Sequence, residues 1–240
     1  MMGFVHVAVA VLSFLSVGQS APVNNCESLT KLIEIQRDQL LGKWMIVAES
    51  TNIPASNKLT KVFVESSWVK ITASNESGVL DVFQSQKMFG SCFTISTTMK
   101  LENGTLFMEK PAKASEVLLK TSCPDCLVVS MNYSIGGNTF GGLQLLSRRN
   151  QVTAAEMDEF NKQVECKGLR PPTILDPEKG ICPDDSPSQE TETESTDLSD
   201  AMMDLDPAVF DQFQRMISTE GGMNELIKLI SSGLAAMKEN

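Results

Sequence analysis

The sequence predicts a mainly β protein: an eight-stranded antiparallel up-and-down barrel with one packed C-terminal helix, followed by a disordered acidic linker and short amphipathic helices. Three features point there. Between Gly42 and Ser147 the chain breaks into short runs of strand character with no long helical period. Asn75-Glu76-Ser77-Gly78, Asn103-Gly104, Cys123-Pro124-Asp125-Cys126 and Gly136-Gly137-Asn138 are the turn residues that short links between antiparallel strands require. Beyond the last run, Thr153-Ala154-Ala155-Glu156 has the pattern of a capping box and opens a helix.

The chain has 240 residues, enough for one or two domains. Phe4 to Val17 is mostly apolar and ends in Gly18-Gln19-Ser20-Ala21-Pro22, which reads as a signal peptide over residues 1–20, too short for a membrane span. Asn75, Asn103 and Asn132 each begin an N-glycosylation sequon. Six cysteines, an even number, suit an oxidising compartment. These features place the protein outside the cell. The one histidine is His6, inside the leader. The processed chain therefore has no Ser-His-Asp or Cys-His arrangement, no His-ligated zinc, and no side chain that ordinarily titrates near neutrality. No metal, no cofactor and no catalytic residue are expected, and no pair of carboxylates stands out. A thiolate enzyme would need an unpaired cysteine in the barrel, and Cys123 and Cys126 sit in a turn at its rim.

In order, the predicted strands are Gly42 to Thr51, Thr60 to Ala73, Val79 to Gln86, Cys92 to Glu102, Thr105 to Lys110, Glu116 to Thr121, Cys126 to Ser134 and Thr139 to Ser147. Closing eight such strands removes the exposed edges and leaves an interior that holds one small ligand. Strand alternation assigns the faces. Trp44, Ile46, Ala48 and Ser50 share one face. Phe93, Ile95, Met99 and Leu101 form the apolar face of the fourth strand. Val117 and Leu119 oppose Glu116, Leu118 and Lys120. A glycan on Asn132 would point Leu127, Val129, Met131 and Tyr133 inward. The expected ligand wall is Ile46, Phe93, Ile95, Met99, Val117, Leu119, Val129, Met131 and Tyr133.

In the helix after the strands, Met157, Phe160 and Val164 form a stripe for the outer wall, and Cys166 at its end is placed to reach Cys26. Residues 183–206 hold nine acids and no base, residues 1–182 hold 17 of each, and residues 207–240 hold four acids and three bases. The net charge of −10 therefore belongs mainly to the linker. No basic stripe speaks for nucleic acid. Asp206-Pro207 opens a helical tail over 207–240, with Val209, Phe210, Phe213, Met216 and Ile217 on one stripe and Leu226, Ile227, Ile230, Leu234 and Met237 on a second. That tail leaves association with lipoprotein, a lipid surface or a second copy open. The division is thus 1–20 signal peptide, 21–182 barrel, 183–206 acidic linker and 207–240 helical tail.

With these pieces in order, the sequence resembles the lipocalin family over roughly Cys26 to Cys182. Gly42-Lys43-Trp44 looks like the first family motif. The turn Cys123-Pro124-Asp125-Cys126 stands where the second is expected and keeps only its aspartate. Arg148-Arg149 looks like the third, whose arginine closes the barrel base against the tryptophan. Leu41 to Glu49, Cys123 to Ser130 and Thr153 to Cys166 are most similar to the branch of alpha-1-acid glycoprotein and apolipoprotein M, which includes fish plasma lipocalins binding toxins or tributyltin. The resemblance implies structural roles for Gly42, Trp44, Arg148 and Arg149. It also implies disulfides Cys26–Cys166 and Cys92–Cys182, with Cys123 and Cys126 left to pair locally or with a third party. The implied function is a secreted carrier of a small hydrophobic or amphipathic ligand such as a lipid, steroid, retinoid or toxin. The alternative is an interaction protein acting through its C-terminal helices.

Overall fold

The computed structural model describes residues 25–184 apart from 55, 111, 112, 136 and 137, then residues 195–199, Thr219 and Gly221. The leader over 1–20 and, those two residues aside, the tail over 207–240 lie outside the described residues.

The elements in order are α1 (Cys26–Leu29), β1 (Leu32–Ile33), α2 (Arg37–Leu40), β2 (Gly42–Thr51), α3 (Ser56–Phe63), β3 (Val64–Ala73), β4 (Val79–Met88), β5 (Ser91–Glu102), β6 (Thr105–Met108), β7 (Lys113–Leu119), β8 (Cys126–Ile135), β9 (Asn138–Ser147), α4 (Ala154–Cys166), β10 (Thr173–Ile174) and β11 (Ser195–Asp197). Strands β2 to β9 pair antiparallel in sequence order, and β9 pairs back onto β2, so the eight-stranded ring is closed. The predicted second strand begins too early, because Thr60–Phe63 belongs to α3. Thr60 and Phe63 are both buried. Three residues apart, they share one face of a helix but would point to opposite faces of a strand.

Short strands fill the edges that the long ones leave unpaired. The register of β2 with β3 covers only Gly42 to Met45 on β2, and beyond it β10 pairs with Ala48 and Glu49. The Leu175 amide then donates to the Val47 carbonyl, and Leu175 is buried. β1 pairs with Leu118 and Leu119 of β7, past the reach of β6. β6 covers only Lys100 to Glu102 of β5, and β11 lies parallel to Cys92, Phe93 and Thr94 on β5. This last pairing corrects the expectation that residues 183–206 lack regular structure. Despite their polarity, Ser195–Asp197 are held by backbone hydrogen bonds offered by a strand with no other partner there.

Two cores follow from the pleat. One is inside the ring and includes Trp44, Ile46, Val69, Ile71, Leu80, Met99, Leu118, Val129 and Met131. The other lies between the outer wall and α4 and includes Met45, Val47, Trp68, Leu119, Leu143, Leu145, Phe160 and Val164. The capping box forms as predicted: Thr153 Oγ1 accepts from the Glu156 amide, and a Glu156 carboxylate oxygen accepts from the Thr153 amide. Phe160 and Val164 seat α4 on the barrel, and full burial of such side chains contributes about 1.5–3 kcal/mol each.

Disulfides Cys26–Cys166 and Cys92–Cys182 join α1 to α4 and the segment after β10 to β5, and Cys123–Cys126 closes the turn before β8. The first two are the pairings the resemblance implies. No cysteine is free, so no thiolate is present for catalysis.

Candidate functional site: the barrel lumen

One end of the ring is shut by a single polar–aromatic assembly. The Trp44 ring points inward from the start of β2, and its indole Nε1 donates to the Leu40 carbonyl at 2.8 Å. The Arg148 guanidinium lies 3.5 Å from the Trp44 ring centroid. Its nitrogens donate to the carbonyls of Lys43 at 2.8 Å and Leu41 at 2.6 Å. Partial desolvation pulls the Arg148 pKa below its usual value, although arginine stays charged. Gly42 is required beside it: φ is +99°, and a Cβ there would lie 2.9 Å from Arg148 Nη1.

Arg149 has a different task. It donates to both carboxylate oxygens of Asp125, at 2.7 and 2.9 Å, and to Glu156 at 2.9 Å. It therefore pins the Cys123–Cys126 turn to the first turn of α4. Cys123, Asp125 and Cys126 bring three metal-ligand atoms within 4.8 Å of one another, but the two sulfurs are bonded together and Asp125 is taken by Arg149.

Above the Trp44–Arg148 base the register fixes what faces the lumen. Leu80 pairs with Met99, Leu118 with Val129, and Ile46 with Leu146, all buried and forming an apolar floor. Towards the other end the inward positions turn polar: Glu49, Ser67, Gln84, Gln86, Glu116 and Gln144, with Tyr133. Gln84, Gln86, Phe93, Ile95, Glu116, Tyr133 and Gln144 point into the ring yet are only half-buried. Side chains that face inward and still keep accessible surface border space that protein atoms do not fill. A separate concavity of about 910 Å³ lies on the outer wall, where Lys70, Asp81, Phe83, Lys100 and Phe107 point outward.

The luminal carboxylates sit in contrasting surroundings. Glu49 accepts from Thr60 Oγ1 at 2.7 Å and from Gln144 Nε2 at 3.4 Å. Glu116 has no hydrogen bond or ion pair among the described residues. Burial raises its pKa to about 7, since an enclosed, unpaired carboxylate is costly to ionise. Its remaining accessible surface faces the lumen. The Tyr133 phenol is pushed upward by burial first, and then by the negative charges of Glu116 and Glu49.

Of the expected wall, Ile46, Met99, Val129, Met131 and Tyr133 are on the luminal side and pack in or against the inner core. Phe93 and Ile95 are at inward positions of β5, paired with Gln86 and Gln84. Val117 and Leu119 are not in the lumen. Glu116 pairs with Leu106 and Met131, both inward, so alternation turns Val117 and Leu119 outward and brings Leu118 in. The apolar pattern on β7 is ambiguous because its outer face is also covered: Leu119 is fully buried in the cluster with Phe160 and Val164. The shared face of Trp44, Ile46, Ala48 and Ser50 is corrected too. A bulge between Ile46 and Ala48 shifts the register by one, so Glu49 and Thr51 follow Trp44 and Ile46 inward while Ala48 and Ser50 turn out.

Sequence reasoning therefore missed Glu49 and Glu116. The signal for Glu116 was Leu118, the apolar residue on the face read as wet. The bulge that turns Glu49 inward has no glycine or proline to mark it.

No family model matches the chain, and neither does any curated protein. Among solved structures it is similar to the siderocalin Ex-FABP, described as functioning through dual ligand specificities, at 20% identity and a TM-score of 0.51, over 57% of this chain and 94% of that one. It is also similar to lipocalin 12 from rat epididymis at 16% identity and a TM-score of 0.54, over 67% of this chain and 94% of that one. At such identities the likeness speaks for the fold alone: the chain has the lipocalin fold, a closed eight-stranded antiparallel barrel with a helix packed after it.

Proposed function

We propose that this protein is a secreted, glycosylated carrier that encloses one small hydrophobic or amphipathic molecule in its barrel. The observation that carries the reading is the unfilled upper lumen, whose inward side chains keep accessible surface above a buried apolar floor and a base shut by Trp44 and Arg148. The driving force is burial of the ligand's apolar part, about 0.8 kcal/mol per methylene, with the polar groups of the upper lumen setting its orientation. Extracellular residence is supported by three disulfides and by the exposure of Asn75, Asn103 and Asn132. Kinship with the alpha-1-acid glycoprotein and apolipoprotein M branch belongs to this proposal and rests on the motif residues. Native mass spectrometry of the secreted protein, followed by organic extraction, tests the reading. A discrete small molecule at fixed stoichiometry is expected. A lumen that stays empty and takes up no apolar probe refutes it.

A further inference from the structure

We infer that the lumen selects a hydrophobic amine, a ligand with an apolar body and a cationic head received between Glu116 and Glu49 beside Tyr133. This deepens the carrier reading and rests on it. Around the ring, the inward positions of β2 to β9 bring in three titratable side chains among the described residues: Glu49, Glu116 and Tyr133. The lysines and arginines of these strands, Lys43, Lys70, Lys87, Lys100 and Lys113, all fall on outward positions or at the rim. The lumen therefore holds acid with no base to neutralise it.

The two carboxylates approach from separated strands, Glu49 on β2 and Glu116 on β7, and the Tyr133 phenol on β8 feels the charge of both. The groups that face Glu116 are apolar or acidic: Leu106 opposite on β6, Met131 opposite on β8, Tyr133 two residues further along β8, and Glu49 across the lumen. Glu116 is enclosed by protein and has no partner, while Glu49 is already positioned by Thr60 and Gln144. An enclosed carboxylate without a partner is stabilised most by a cation that donates hydrogen bonds, and charge-assisted bonds are the strong ones. An anionic head would meet two like charges and no donor cation. Below the carboxylates, Leu80, Met99, Leu118, Val129 and Leu146 offer an apolar floor for the rest of the molecule.

The test compares decylamine, decanol and decanoate, equal in chain length and different in head charge, by calorimetry on the full secreted protein at pH 8. Decylamine should bind at least about tenfold more tightly than decanol, with decanoate weakest. Glu116→Gln should lower decylamine affinity about tenfold and leave decanol within about twofold. Glu49→Gln should act in the same direction and serves as the second variant. Lowering the pH from 8 to 5.5 should weaken decylamine and leave decanol unaffected. Equal or tighter binding of decanol or decanoate, or an amine preference that survives both substitutions, overturns the inference and leaves the carrier reading standing. If none of the three binds, the carrier reading falls and the inference falls with it.

Discussion

Replacing Glu116 with glutamine should stabilise the empty protein at alkaline pH and leave it unchanged in acid. The sign follows from proton linkage. In the folded chain the carboxyl releases its proton near pH 7, against about 4.5 for an unperturbed glutamate. Across that window the folded state holds a proton that the unfolded state has already lost, so wild-type stability falls as pH rises. At 1.36 kcal/mol per pH unit, the window amounts to a ceiling of about 3 kcal/mol, reduced by whatever hydration the lumen supplies. Glutamine has no proton to lose and nearly the same shape. The stability advantage of Glu116→Gln over wild type should therefore climb from near zero at pH 4 to about 1–3 kcal/mol at pH 8. Urea denaturation of both proteins at four or five pH values, disulfides intact, reads this directly. A difference that is flat with pH, or a variant less stable than wild type at pH 8, would refute an enclosed, unpaired Glu116.

Other expectations concern the frame around the lumen. Gly42→Ala forces a Cβ to 2.9 Å from Arg148 Nη1 at φ +99° and should cost about 1–3 kcal/mol in urea denaturation. Arg149→Gln should destabilise the protein at pH 7 and do so less and less in acid. Arg149 holds Asp125 below the usual carboxylate range, and Glu156 is lowered by the Thr153 amide and then by Arg149, so the stability they confer is lost as pH falls through those depressed values. NMR titration should find the Asp125 carboxyl back near its ordinary range in that variant. Replacing Cys26 and Cys166 with serine opens a covalent loop of sequence separation 140 and should lower stability by about 2–5 kcal/mol. Enzymatic deglycosylation of secreted material should release glycans from Asn75, Asn103 and Asn132, all three exposed, as mass spectrometry would record.

The barrel was legible because its signals are local. Turn residues, hairpin-length links and a capping box each act within a few positions, and seven of the eight predicted strands lie close to where the sequence puts them. Thr60 was misplaced because polar–apolar alternation over Thr60–Phe63 does not separate a strand from one turn of helix. The polarity of the lumen was not legible, for two reasons found in particular residues. The bulge after Ile46 shifts the facing of everything beyond it by one residue, and no glycine or proline announces it. On β7 both faces are apolar where they need to be, Leu118 for the lumen and Leu119 for the space beneath α4, so period-two hydrophobicity points both ways. The site's charge is thus a property of register, which pairing between distant strands decides.

The pairing of β11 with β5 bears on how this protein stays separate from its own copies. With β6 only four residues long, the first half of β5 would present a row of unsatisfied amides and carbonyls, a template onto which a strand from another molecule can add. The chain supplies that strand itself, backed by the Leu198 amide donating to the Thr94 carbonyl and Ser199 Oγ accepting from the Ser96 amide. It draws the strand from a stretch whose nine acids and absence of bases make it a poor seed for stacking. Proteolytic cutting between residues 184 and 195 would convert this internal cover into a dissociable peptide. The nicked protein should then aggregate through the edge of β5, at a rate set by peptide release.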